Sequence, residues 1–180
     1  MIREILDTLK NRLEEYLNAY FNSPEGYVQI GGIPVGSDNA PNKLSLSVVN
    51  LERETAMGIG SAYRMDKSQE FVERLPAWYL NMDVLFASVF DEKRYAEGLD
   101  VLSKVIYFLQ QYYVLDLPDG THYTIEMVTL NMQELTNLWS MSGGRYYPSV
   151  LCRVRMLAFE SDVIQSTARS VKVPGVEMNS

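Results

Sequence analysis

From Ser149 to Phe159 the apolar residues fall on alternate positions: Val150, Cys152, Val154, Met156 and Ala158. A period of two is that of a β-strand with one buried face. Such a strand must lie on a packed layer, and a chain containing it must build a sheet. Arg153 and Arg155 share the opposite face, so the strand presents two guanidinium groups side by side. No motif for chemistry surrounds them, which makes a contact surface the first expectation; the alternative is pairing with acids on an adjacent strand, such as Asp83 or Glu126.

Other stretches supply the rest of a sheet. Residues 43–52 place Leu44, Leu46 and Val48 on one side. Residues 77–90 set Leu80, Met82, Val84 and Phe86 against Tyr79, Asn81 and Asp83. Tyr123, Ile125 and Met127 mark a third substantial strand, and residues 27–30 a short one ended by Gly31-Gly32 and Pro34. That glycine pair is not a phosphate loop, since no Lys-Ser or Lys-Thr follows and no helix opens there.

Two segments have helical spacing. Ile2, Ile5, Leu6, Leu9, Leu13, Tyr16, Leu17 and Tyr20 recur every three or four residues, and Asn22 to Gly26 stops the run. After an N-cap at Asp91, a second helix carries Tyr95, Leu99, Leu102, Val105, Ile106, Leu109 and Tyr113. Its apolar stripe is wide enough to lie flat on a sheet. A shorter helix around residues 134–139 holds Trp139, with Asn131 and Glu134 spaced as a capping box. Residues 55–75 have no periodicity and read as a long surface excursion.

This order is neither a repeat nor a regular βα alternation. It predicts an α+β fold (an α/β sandwich), with a mixed, mainly antiparallel sheet and two long helices packed on it. With 180 residues, one domain over 1–161 is expected, followed by a C-terminal arm or flexible tail over 162–180. The tail has weak strand character at Val171-Lys172-Val173.

Sixteen basic residues against 23 acidic give a net charge of −7, which argues against a nucleic-acid binder. No apolar run approaches the roughly 20 residues of a membrane span, so no membrane insertion is expected. The N-terminal residues lack the apolar core of a signal peptide, so folding in the cytoplasm is expected. The lone Cys152 cannot form an intrachain disulfide and reads as a small buried hydrophobe.

His122, in a turn beside Asp119, is the single histidine. With one His and one Cys, the usual zinc sets and Cys–His catalysis are excluded. The carboxylate pairs Glu14-Glu15, Glu52-Glu54 and Asp91-Glu92 fall on predicted solvent faces, where nothing separates their pKa values. No enzyme, cofactor or metal is expected. The Tyr–Arg mixture of Arg145, Tyr146 and Tyr147 suits a protein–protein interface as well as a core.

Taken in order, several blocks also carry a resemblance. They are Leu44-Ser45-Leu46-Ser47-Val48-Val49-Asn50-Leu51-Glu52-Arg53-Glu54, then Tyr79-Leu80-Asn81-Met82-Asp83-Val84-Leu85-Phe86-Ala87-Ser88, then residues 95–109. Glu134-Leu135-Thr136-Asn137-Leu138-Trp139 follows, with Tyr147-Pro148-Ser149-Val150 and Arg153-Val154-Arg155-Met156. Together they resemble the cap, or tail-terminator, proteins of phage-tail-like contractile injection systems of the virulence-cassette and antifeeding-prophage type. The resemblance implies a phage tail-terminator-like fold and a structural role. That role is a homo-oligomeric ring of six on the baseplate-distal end of the inner tube, contacting tube protein and sheath protein and ending their growth. It further implies assembly in the cytoplasm into a particle that is released or held at the cell. The contact candidates are Arg153, Arg155, Arg145, Tyr146 and Tyr147, with Arg64 and Lys67 in the aperiodic stretch and Lys172 in the tail. The competing expectation is a small α/β ligand-binding or enzymatic domain.

Overall fold

Gly98 decides how the helix after Asp91 meets the sheet. In the computed structural model, a Cβ on Gly98 would lie 2.7 Å from Ser88 Oγ and 2.9 Å from the Phe90 ring. The structure describes residues 1–21, 24–33, 40–55, 62–65, 71–74, 76–160 and 164–168; for 62–65, 71–74 and 164–168 it describes the backbone. The elements run α1 (Ile2–Asn18), β1 (Val28–Ile30), β2 (Lys43–Arg53), β3 (Ala62–Met65), β4 (Phe71–Arg74), β5 (Trp78–Val89) and α2 (Tyr95–Gln111). There follow β6 (Val114–Asp116), β7 (His122–Val128), α3 (Met132–Met141), β8 (Ser149–Phe159) and β9 (Ile164–Ala168).

The chain forms two compact units, residues 1–52 with 81–157 and residues 53–80 with 158–180. The first is built on a six-stranded sheet of order β1-β2-β5-β8-β7-β6. β1 pairs with β2 in parallel, while β7 is antiparallel to both β6 and β8. Contacts between β5 and β8 advance in opposite directions, from Ser88 with Pro148 to Asp83 with Arg153, so this pair is antiparallel too. The fold is the expected α+β class with a mixed, mainly antiparallel sheet.

β5 lies in the middle of that sheet and buries both its faces. Met82, Val84 and Phe86 face the α2 side, and Leu85, Ala87 and Val89 pack with Trp139, Tyr147 and Leu151 on the other. Burying each large side chain contributes roughly 1.5–3 kcal/mol. α1 buries Ile5, Leu6, Leu9, Leu13 and Leu17, the centre of its predicted stripe, and packs against α2 and β1.

α2 is rotated from the predicted stripe. It buries Gly98, Val101, Leu102, Val105, Phe108 and Leu109, whereas Tyr95, Leu99, Ile106 and Tyr113 are exposed. Gly98 is the reason: the missing side chain lets this turn sit directly on β5, and Ser88 Oγ donates to Gly98 O at 2.8 Å.

Glu14 is not the solvent-facing acid expected. Its carboxylate accepts from Tyr27 N at 2.6 Å and Val28 N at 2.8 Å, tying α1 to the start of β1. Gly26, at φ +71°, leaves room for that carboxylate, which a Cβ would approach to 2.5 Å. Asp91 caps the turn before α2 by accepting from Arg94 N, which holds its carboxyl below the usual range. Asn131 and Glu134 form the capping box in full.

In the second unit β3 pairs with β4, and β4 with β9, all antiparallel. Residues 55–75, read as an unpaired excursion, therefore carry two strands. Each spans only four residues, too few for a period of two to show, and β4 finds its second partner in β9, far along the chain. The tail residues 171–173 lie outside the described residues.

Candidate interaction surface

The outward arginines of β8 are bound to the chain's own carboxylates. Arg153 donates from Nε to Asp83 Oδ1 at 2.8 Å and from Nη2 to Asp83 Oδ2 at 3.1 Å, a bidentate pair. Its Nη2 also reaches Glu52 Oε2 at 2.9 Å, and Asn50 donates to Asp83 at 3.3 Å. Arg155 pairs with Glu126 at 3.3 Å. The ladder so formed crosses β2, β5, β8 and β7. Asp83 is only 5% exposed, and its hydrogen bonds push the Arg153 guanidinium above its ordinary pKa. This chemistry braces a sheet: the carboxylates of Asp83, Glu52 and Glu126 are engaged by guanidinium groups.

β8 departs from strict alternation at Met156, which adopts φ +65°. Its N–H donates to Asn81 Oδ1 at 3.2 Å, and Leu157 rather than Ala158 becomes fully buried. A left-handed non-glycine residue reverses the side-chain parity of the strand, as a bulge does. Cys152 lies ahead of this break, buried on the α2 side. Burial pushes its thiol up to about 12, so it stays protonated at neutral pH. Native protein is expected to resist an aromatic disulfide reagent at pH 8 and to titrate one thiol only after denaturation.

The turn after α3 splits the predicted Tyr–Arg cluster. Tyr147 is 5% exposed and joins the core with Trp139, its ring 5.9 Å away. Tyr146 is 56% exposed and stands edge-on to Trp139 at 5.5 Å. Arg145 lies over the Tyr147 ring at 5.3 Å with its own side chain outward. Gly143 and Gly144, at φ +89° and +79°, allow the reversal that separates these neighbours. Arg64 lies on β3, and Lys67 and Lys172 are outside the described residues.

Other groups lie where the sequence did not put them. His122 opens β7 instead of occupying a turn, and its Nδ1 is 2.6 Å from Asp116 Oδ1. Among the described residues no cluster of three metal-binding side chains occurs. No described helix is long and apolar enough to cross a membrane. A second aromatic surface, between α1 and α2, had no sequence-level reading. The spacing of Tyr16 with Tyr20, and of Lys104 with Tyr107, could have suggested it, because three and four residues return a helix to one face.

A family model described as the Pvc16 N-terminal domain matches residues 4–172. The chain belongs to the Pvc16 N-terminal domain family. Among curated protein sequences no relative matches. Two solved structures are similar to this Pvc16 N-terminal domain. One is the PVC sheath/tube terminator of an extracellular contractile injection system in its extended state, with TM-score 0.64 and 15% identity over 96% of this chain. The other is the tube-terminating cap of the anti-feeding prophage, with TM-score 0.63 and 17% identity over 96% of this chain. The Pvc16 N-terminal domain spans 62% and 60% of the length of those two chains. At such identities the likeness establishes a shared fold.

Proposed function

We propose that this protein is a structural cap of a contractile injection system, ending the growth of inner tube and sheath at the end distal to the baseplate. The observation that carries this reading is the fold likeness. It runs through 96% of the chain and joins two structures that are both tube terminators. The family assignment supports it as well.

In this reading six copies close a ring. Each copy offers one patch to its neighbour and a different patch to the next, with closure set by the angle between them. Arg145, Tyr146 and the exposed half of Arg155 are proposed contact positions in the first unit. Arg64, Lys67 and Lys172 are proposed for the second. Residues 162–180 are proposed as an arm, β9 being its portion that pairs with β4. The particle is assembled in the cytoplasm and then released or held by the cell.

A deletion strain tests the role. Loss of the protein is expected to give tubes and sheaths of irregular length, with uniform length restored by the full chain supplied in trans. Particles of normal, uniform length from the deletion strain, counted by electron microscopy, would refute the cap.

A further inference from the structure

Lys104 occupies an unusual place for a surface lysine on an acidic protein. Its ammonium lies 3.9 Å from the centroid of the Tyr20 ring and 5.8 Å from that of Tyr107. Such a position orients the ammonium by cation–π attraction. Arg12 on α1 and Arg94 just before α2 are paired with Asp116 and Glu97. Lys104 has no carboxylate partner among the described residues. Around it a shallow, open groove of about 520 Å³ runs between α1 and α2, lined by Tyr16, Tyr20, Tyr107, Gln110 and Gln111.

We propose that this groove docks an acidic segment of a partner protein, with a carboxylate on Lys104 and its neighbouring side chains against the tyrosines. Charge complementarity selects the occupant. The lysine side chain is partly buried and its ammonium is already oriented by the Tyr20 ring, so a carboxylate gains a charge-assisted hydrogen bond without first ordering a long side chain. Tyrosine walls add rigid apolar area together with hydroxyls, and the glutamine amides match a peptide backbone. A nucleic acid is a poor occupant, because the groove holds one ammonium, enough for a single carboxylate, rather than the basic stripe that a phosphate backbone needs. The assignment deepens the cap reading by naming a face that receives a partner. It rests on that reading only for who the partner is.

The full chain, labelled with nitrogen-15, would be titrated at low salt with an octapeptide of alternating Glu and Leu. The same peptide with Lys for Glu and sodium phosphate serve as comparisons. Saturable shifts of backbone amides in residues 16–20 and 104–111, seen with the acidic peptide alone, are the expected result. Lys104→Glu is expected to weaken that binding at least about tenfold, whereas Lys10→Glu on α1 leaves it nearly unchanged. Lys104 is at the surface, and an unchanged melting temperature would show that the variant folds.

Absence of shifts, or equal binding by Lys104→Glu, would overturn the proposal. Equal shifts with phosphate would reduce the groove to a simple anion site. Shifts of the same amides on concentrating the chain alone would assign it to a second copy. Either outcome also overturns the acidic-partner assignment. The titration reads the groove alone and particle length reads the cap role, so failure of one is distinguishable from failure of the other.

Discussion

Arg153→Ala is expected to lower folding stability by about 2–4 kcal/mol, slightly below the range for breaking a fully buried ion pair because Arg153 remains 30% exposed. The loss comes mainly from what is left behind. Asp83 is almost wholly buried in the central strand, and without the guanidinium its carboxylate retains, among the described residues, only the Asn50 amide at 3.3 Å. A buried charge without its counter-ion is costly, whereas an apolar pair of similar volume is not. The double variant Arg153→Met, Asp83→Leu should therefore recover most of the stability. Arg155→Ala provides the contrast, since its bond to Glu126 is between half-exposed groups and is worth less than about 1 kcal/mol. Urea unfolding of the four proteins measures the set. Equal, small losses for both arginines would show that the Asp83 pair does not brace the sheet.

Gly98→Val is expected to cost about 3 kcal/mol, the upper end of ordinary overpacking. In a domain of this size that lowers the melting temperature by about 6–12 °C. The added Cβ meets Ser88 Oγ at 2.7 Å and the Phe90 ring at 2.9 and 3.0 Å, distances at which something must move. Moving α2 outward would loosen the contacts of Val101 and Val105, which are fully buried. Gly98→Ala removes a helix-destabilising glycine, a gain of about 1 kcal/mol, but meets the same Cβ clash. It should be destabilising overall and milder than valine. Gly32→Ala, where a Cβ would meet nothing within 4 Å, should change stability by no more than about 0.5 kcal/mol. Thermal unfolding followed by circular dichroism separates these cases. A neutral Gly98→Val would contradict the close helix–sheet approach.

The long elements were legible because they repeat a period over many residues. The strands at 43–52, 77–90 and 149–159 and the helices at the N-terminus and after Asp91 all occur, with the cap at Asp91 and, on the shorter helix, the capping box at Asn131; the alternation of 149–159 holds as far as Val154. Of the short strands only β1 was legible. β3, β4 and β6 span three or four residues each, and their identity depends on partners elsewhere in the chain. The face that α2 buries was misjudged for a related reason. Periodicity locates a stripe of large apolar residues, but Gly98 contributes by having no side chain, and hydrophobic patterns count what is present.

The candidate surface divides in the same way. Sequence placed Arg153 and Arg155 together on the outer face of one strand and left open whether they met a partner or an adjacent strand's acids. Asp83 and Glu126 were brought alongside by the strand order β5-β8-β7, which no local pattern specifies. Tyr146 and Tyr147 look alike in sequence, yet a glycine-borne turn sends one to solvent and the other into the core. The Lys104 groove needed α1 and α2, far apart along the chain, to come side by side.

For this protein, amino-acid sequence alone determined the class of fold, the main strands and helices, and the likeness to terminator caps, because those depend on local periodicity and on residue order. Only the tertiary structure decided which polar groups are already partnered and which await one. Pairing depends on distance in space, and distant segments become neighbours only when the sheet and its helices have closed around the core.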